Sequence, residues 1–200
     1  MASLGTTAAQ PPPSLGGRLL HAEEAIAATA SALRGHPGAD RVAYGLSQAA
    51  NHSVLWHSLN AADLTIGILG GDPLRRRRAI RRSVVQGIEQ AVVNGPLKSL
   101  VRRARPAEEH SHPHRLRQPL TSSFPSGHAT AGACAAELMG SDLGHRAAWW
   151  TLAAAVGWSR VHVGVHHPAD VAVGWLVGGF AAHLAQLLWP APGGSGSPAQ

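Results

Sequence analysis

Covalent cross-links can contribute little to this chain, since its 200 residues include one cysteine, Cys134. That excludes an internal disulfide framework and leaves no dithiol for redox chemistry. Acidic residues are also scarce, 11 against 17 basic ones, giving a formal charge of +6 and a pI near 11.2. Such a balance suits an anionic partner: nucleic acid, an anionic membrane surface or an anionic substrate. Aromatic residues make up only 4% of the chain and do not interleave with the basic ones. With no nucleic-acid motif either, membrane and phosphate are the better readings. Residues 1–17 contain Gln10-Pro11-Pro12-Pro13 and lack a charged start followed by an apolar run, so no signal peptide is expected there. Long apolar runs are almost missing. Residues 171–190, with His183 and Gln186 as the conspicuous polar interruptions, form the best candidate for a bilayer-spanning helix.

What the chain does have is a set of polar residues in three separated segments. The first is Lys98, followed after six residues by Arg105-Pro106; the second is Pro125-Ser126-Gly127-His128; the third is Ser159-Arg160, followed after five residues by His166 and then by Asp170. Together they supply three cations, two histidines and one carboxylate. A phosphoryl group in transfer spreads negative charge over three oxygens, so fixed positive charge and positioning supply most of its catalysis. Arginine offers a planar fork and lysine a point charge. Ser126 as an N-cap and Gly127 behind it would expose the N–H groups of a helix start to an anion. The i, i+4 spacing of His166 and Asp170 puts them on one face if that turn is helical. A carboxylate on one imidazole nitrogen would leave the other free to attack phosphorus. Pro168 between them predicts a helix start.

In these segments the sequence resembles the type-2 phosphatidic acid phosphatase superfamily, which includes bacterial acid phosphatases and vanadium haloperoxidases. The resemblance spans residues 98–170 with every signature position filled. It implies His166 as nucleophile, Asp170 as its partner and His128 as general acid, with Lys98, Arg105, Ser126, Gly127 and Arg160 holding the phosphate. It also implies no metal and no cofactor. The fold expected is all-α: an antiparallel bundle of about six helices, like the haloperoxidases and acid phosphatases, embedded in a membrane.

In chain order, residues 1–17 read as a disordered tail, residues 18–190 as the phosphatase domain and residues 191–200 as a second tail. An Ala-rich helix is expected over 18–34, too polar and short to span a bilayer and lying along a membrane surface or against the bundle. His36-Pro37-Gly38 breaks it. A second helical region covers 42–69, interrupted by Asn51, His52, His57, Asn60 and Asp63. The arginines of 75–82 read as a solvated basic face or as a cytoplasmic anchor. Further helices are expected over 79–102, 126–139, from 145 to 160 and over 168–189. His110, His112 and His114 read as a solvated loop rather than a metal site. His162 and His167 are assigned no role.

In an antiparallel bundle, Lys98, Ser126, Arg160 and Pro168 all fall at one end, opposite the arginine cluster. If that cluster is cytoplasmic, the site faces outward. The leading function is an integral-membrane phosphatase acting on a polyprenyl or diacylglycerol phosphate or diphosphate, including a polyprenyl-phosphoryl-sugar phosphate, through a phosphohistidine. A mean hydropathy of −0.03 keeps open a soluble acid phosphatase or a vanadate-dependent haloperoxidase. A non-catalytic membrane scaffold is the third reading.

Overall fold

The computed structural model describes residues 14–106, 114, 116 and 121–193. Among these the chain is all-α, without strands: α1 (Leu15–Ser31), α2 (Pro37–Ala49), α3 (Val54–Leu69), α4 (Pro73–Val92), the single turn α5 (Lys98–Leu100), α6 (Gly127–Leu143), α7 (Arg146–His162) and α8 (Pro168–Leu188). The helical class expected from the sequence is present, with more breaks than expected. Helix α1 starts at Leu15, inside the stretch read as tail, because the Ser14 hydroxyl accepts from Gly17 N and caps it. Most of that tail, residues 1–13, lies outside the described residues, as do residues 194–200.

Helix α1 already ends at Ser31, so His36-Pro37 is not what breaks it. His36 takes the N-cap position and Pro37 opens α2, five residues before the expected start. The expected single helix over 42–69 is two, separated by a 3-10 turn (Asn51–Ser53) in which His52 and Ser53 have φ of 50° and 60°. The long helix expected over 79–102 also breaks. Pro96 has no N–H to give, and the chain passes residues 93–97 as a π turn before α5.

Helix α6 is the centre, packed by α8, α7 and α4. From Ala129 to Ala136 all its residues are buried, and nearly all are small. On α8 the facing residues are Gly174, Gly178 and Ala182, one per turn. A Cβ at Gly174 would come 2.9 Å from Ser126 O, and one at Gly178 would fall on the Thr130 carbonyl. These glycines let two backbones touch, a packing mode common between membrane helices. The contact also locks the start of α6 to that of α8, because Ser126 N donates to Asp170 O at 3.0 Å.

The arginine run, read as a solvated face or an anchor, is divided, with Arg76 and Arg77 exposed. It forms the first turns of α4, and Arg81 and Arg82 are buried. Arg82 binds Asp63 and Asn60 of α3 and reaches Asp142 of α6 at 2.9 Å, while Arg75 binds Asp63 at 2.6 Å. Arg81 donates to Trp189 O (2.6 Å) and, as a second donor beside Trp189 N, to Ala185 O (3.2 Å), tying the end of α8 to α4. Further along, the inner face of α4 carries Gln86 and Glu89. Its outer face carries Ile80, Val84, Ile88 and Val92, each 41–59% exposed. Helix α8 likewise exposes Leu176, Phe180 and Leu187, and it alone among the described helices is long and apolar enough to cross a membrane. Polar side chains inward and apolar ones outward invert the pattern of a soluble bundle.

Candidate active site

The ends of α5 and α7 and the starts of α6 and α8 meet at one end of the bundle. Lys98, the chain's one lysine, is 9% exposed, and its ammonium has no hydrogen-bond or ion-pair partner among the described residues. Its Nζ lies 3.5 Å from where a Cβ on Gly127 would stand, so the absent side chain lets the start of α6 approach the ammonium. Burial, helped by the charges of Arg105 and Arg160 and opposed by Asp170, pushes the Lys98 ammonium down to about 8. Lys98 also lines an open cleft of about 620 Å³, shared with Arg102, Arg103, Arg105 and Ser122.

Arg105 is held by three carbonyls: Val165 O at 2.8 Å, Thr121 O at 3.0 Å and Ser122 O at 3.2 Å. Its Nη1 also lies 3.4 Å from His166 Nε2. A guanidinium only donates, so Nε2 faces it with a lone pair and the ring proton sits on Nδ1. Nδ1 in turn lies 3.5 Å from Asp170 Oδ2, a loose version of the expected pairing. The reason for that pairing differs from the i, i+4 argument. His166 precedes the helix, His167 is the N-cap, and Asp170 is the third helical residue, its Oδ2 accepting His167 N at 2.9 Å. Capping therefore aims the carboxylate back at the imidazole, and a shared helix face plays no part. Burial holds the His166 imidazole down at about 4, against the Asp170 bond that favours protonation. The ring is neutral at neutral pH.

His128 stands in the first turn of α6, held by residues that belong to no motif. Its Nε2 is 3.3 Å from Ser47 O and 3.1 Å from Asn51 Oδ1, both outside the three segments. A carbonyl accepts only, so Nε2 carries the proton and Nδ1 remains for proton exchange. Ser47 also ties in Arg160, whose Nη1 donates to its hydroxyl. The Nε of Arg160 is buried without a partner, as is the Ser126 hydroxyl. Ser126 occupies the N-cap position of α6, where its carbonyl accepts Thr130 N but its side chain makes no cap bond, which leaves the hydroxyl available to something else. Each expected site residue thus lies at this end, and the loop with Arg105, the start of α6 and the segment after α7 bring them together.

Other features outside the three segments bear on the site. Gln90 of α4 donates to Glu89 Oε2 (2.8 Å) and Gly127 O (3.2 Å) and accepts from Asn94 (3.0 Å), bracing the start of α6 from below. His162, assigned no role, is buried and joins Ala30 O (3.1 Å) to Asp40 (2.8 Å), pinning α1 and α2 to α7. Of the three alternating histidines, His110 and His112 lie outside the described residues, and His114 stacks edge-on against Tyr44.

Residues 84–192 match the PAP2 superfamily. Over 159 residues the chain is 37% identical to a decaprenylphosphoryl-5-phosphoribose phosphatase of Mycobacterium tuberculosis, covering 76% of this chain and 82% of that protein. A protein of the same name from Mycolicibacterium smegmatis is 36% identical over 154 residues, covering 74% of this chain and 78% of its own length. In three dimensions the chain resembles a transmembrane PAP2-type phosphatidylglycerolphosphate phosphatase from Bacillus subtilis, with a TM-score of 0.57, 25% identity and 86% of each chain covered. The chain belongs to the PAP2 superfamily and is a phosphoric-ester hydrolase.

Proposed function

We propose that this protein is a membrane-embedded phosphatase that removes a phosphate monoester from a polyprenyl-linked sugar phosphate, through a phosphohistidine at His166 and without a metal. The observation that carries the reading is the set of buried, unpartnered polar groups at one end of the bundle: the Lys98 ammonium, Arg160 Nε and the Ser126 hydroxyl. Buried charge is costly unless compensated, and a phosphate dianion is the compensation that three convergent cations suit. The curated relatives, named for a decaprenyl-linked phosphoribose, support the substrate class. The outward apolar faces of α4 and α8 support a bilayer around the bundle. Exposed Arg76, Arg77 and Arg146 at the far end favour that end as cytoplasmic, which turns the site outward.

The residues take these roles. Lys98, Arg105 and Arg160 hold the phosphoryl oxygens, with Ser126 and the backbone at Gly127 completing the cradle. His166 Nε2 attacks phosphorus in line while Asp170 keeps the proton on Nδ1 and stabilises the developing positive charge. His128 enters the step as the imidazolium, having taken the proton of the bound phosphate monoanion on Nδ1 while Nε2–H stays on Ser47 O and Asn51 Oδ1. It gives the Nδ1 proton to the leaving sugar alkoxide. It then takes one from the water that hydrolyses the phosphohistidine, which regenerates both rings. The polyprenyl chain runs along the apolar surface of the bundle.

The test uses purified protein in detergent with a polyprenyl-phosphoryl-sugar phosphate labelled in its terminal phosphoryl group. Turnover in the presence of chelator is expected, with an alkali-stable, acid-labile label on the protein after an alkaline quench. Hydrolysis that stops when metal is chelated would overturn the metal-free reading. Inversion of configuration at phosphorus, where two successive in-line displacements give retention, would overturn the phosphohistidine.

A further inference from the structure

Arg103 lies between the residues assigned above to phosphate binding, yet its side chain turns away to the back of the nucleophile. Its Nη1 donates to Asp170 Oδ1 at 2.9 Å, and its Nη2 meets Glu23 Oε1 of α1 at 3.1 Å. The same Glu23 oxygen accepts Ala169 N at the start of α8, at 3.3 Å. Asp170 is therefore shared: Oδ2 accepts His167 N and lies 3.5 Å from His166 Nδ1, whose only near acceptor it is among the described residues, and Oδ1 serves Arg103. Its side chain is 0% exposed, so no water competes for it.

We propose that Arg103 and Glu23 are positioning residues that keep Asp170 an ionised acceptor, and through it keep the His166 proton on Nδ1, so that α1 takes part in setting the nucleophile. This rests on the reading of His166 as nucleophile. Desolvation pushes a carboxylate this buried towards taking up a proton, and one backbone N–H and a neutral ring offset that only in part. A protonated Asp170 would donate to Nδ1, drive the ring proton to Nε2 and remove the lone pair that attacks phosphorus. The Arg103 guanidinium opposes that by standing against the far oxygen. Glu23 aims the guanidinium with one carboxylate oxygen, which it also anchors to α8. A separation of 80 positions between Glu23 and Arg103 hides this link in the sequence.

The test pairs kinetics with the tautomer. Detergent-solubilised protein labelled with ¹⁵N-histidine, with His166→Ala to assign the signal, reports directly which nitrogen of His166 bears the proton. The wild-type ring is expected as the Nδ1–H form. Arg103→Met should move population to Nε2–H and lower kcat roughly 10- to 100-fold with KM within about threefold. Arg103→Lys should recover part of both losses, and Glu23→Gln should show the same changes at smaller size. An unchanged His166 tautomer in Arg103→Met would overturn the proposal. So would a raised KM at unchanged kcat, which would make Arg103 a phosphate ligand. A tautomer change in a protein whose wild type hydrolyses no lipid phosphate would uphold the positioning role and sink the functional reading instead.

Discussion

Both ends of the bundle bury arginine, and they compensate the charge in opposite ways. At the far end the cations meet the protein's own acceptors. Arg82 has Asp63, Asp142 and Asn60, Arg75 has Asp63, and Arg81 has the terminal carbonyls of α8. At the site end the Lys98 ammonium has no partner among the described residues, Arg160 keeps a buried Nε without one, and the nearby Asp170 is already shared by Arg103, His166 and His167 N. One end reads as a structural clamp and the other as a receptor for an anion brought from outside. The clefts fit this contrast: the far one, about 380 Å³, is lined by acids and bases together, and the one beside Lys98 and Arg105, about 620 Å³, has bases and hydroxyls but no acid.

The contrast breaks most visibly if the site end fails to govern chemistry. His166→Ala should lower turnover on the order of 1,000-fold or more while the unfolding temperature in detergent stays near that of the wild type. Near-normal turnover would remove His166 from the mechanism. At the far end the effects should be exchanged. Asp142→Asn leaves the buried Arg82 short of one anion and should destabilise by about 3–5 kcal/mol, with little change in kcat per folded molecule. A large kcat loss at full stability would mean that the two ends are not independent. Lys98→Met sharpens the comparison. It removes a buried charge that lacks a partner, so the free protein should be no less stable, whereas KM should rise roughly 10- to 100-fold. A marked drop in stability would mean that Lys98 belongs to a clamp like that of Arg82.

How far this contrast could be read in advance depended on the element. The three motif segments carry recognisable residue types at short internal spacings, so Lys98, His128, His166 and their neighbours were legible. The partners that orient them were not. Ser47, Asn51, Glu23 and Arg103 approach from segments with no pattern, and tertiary packing alone brings them in. Helix α4 shows the second difficulty. Its 3.6-residue period is plain, but periodicity says which residues share a face and not which face is inside. Ile80, Val84, Ile88 and Val92 lie outward, and Arg81, Arg82, Gln86 and Glu89 lie inward. The same inversion explains why the mean hydropathy of −0.03 suggested a soluble protein as an alternative. Polar residues at Asn60 and Asp63, three apart and facing a later Arg82, were the available signal that this bundle has a polar interior.

The smallest expected effect concerns pH. Lys98 loses its proton near 8, so kcat/KM should fall as pH rises through about 8, whereas the His166 nucleophile, with its value near 4, stays neutral down through pH 5. The sign follows because the charged form of Lys98 binds the anion and the neutral form does not. A bound dianion favours the charged form, so the alkaline fall in kcat should lie at higher pH than that in kcat/KM. Lys98→Arg should carry both limbs upward, and an unmoved alkaline limb would assign it to another group.

The partnership between site cations and an external anion is tested most directly by unfolding temperature against orthovanadate, a phosphate mimic. The wild type should gain stability saturably, by about 2.7 kcal/mol at 100 times Kd, and Lys98→Met and Arg160→Met should gain much less. No shift in the wild type at vanadate concentrations that inhibit turnover, or equal shifts in all three proteins, would contradict it.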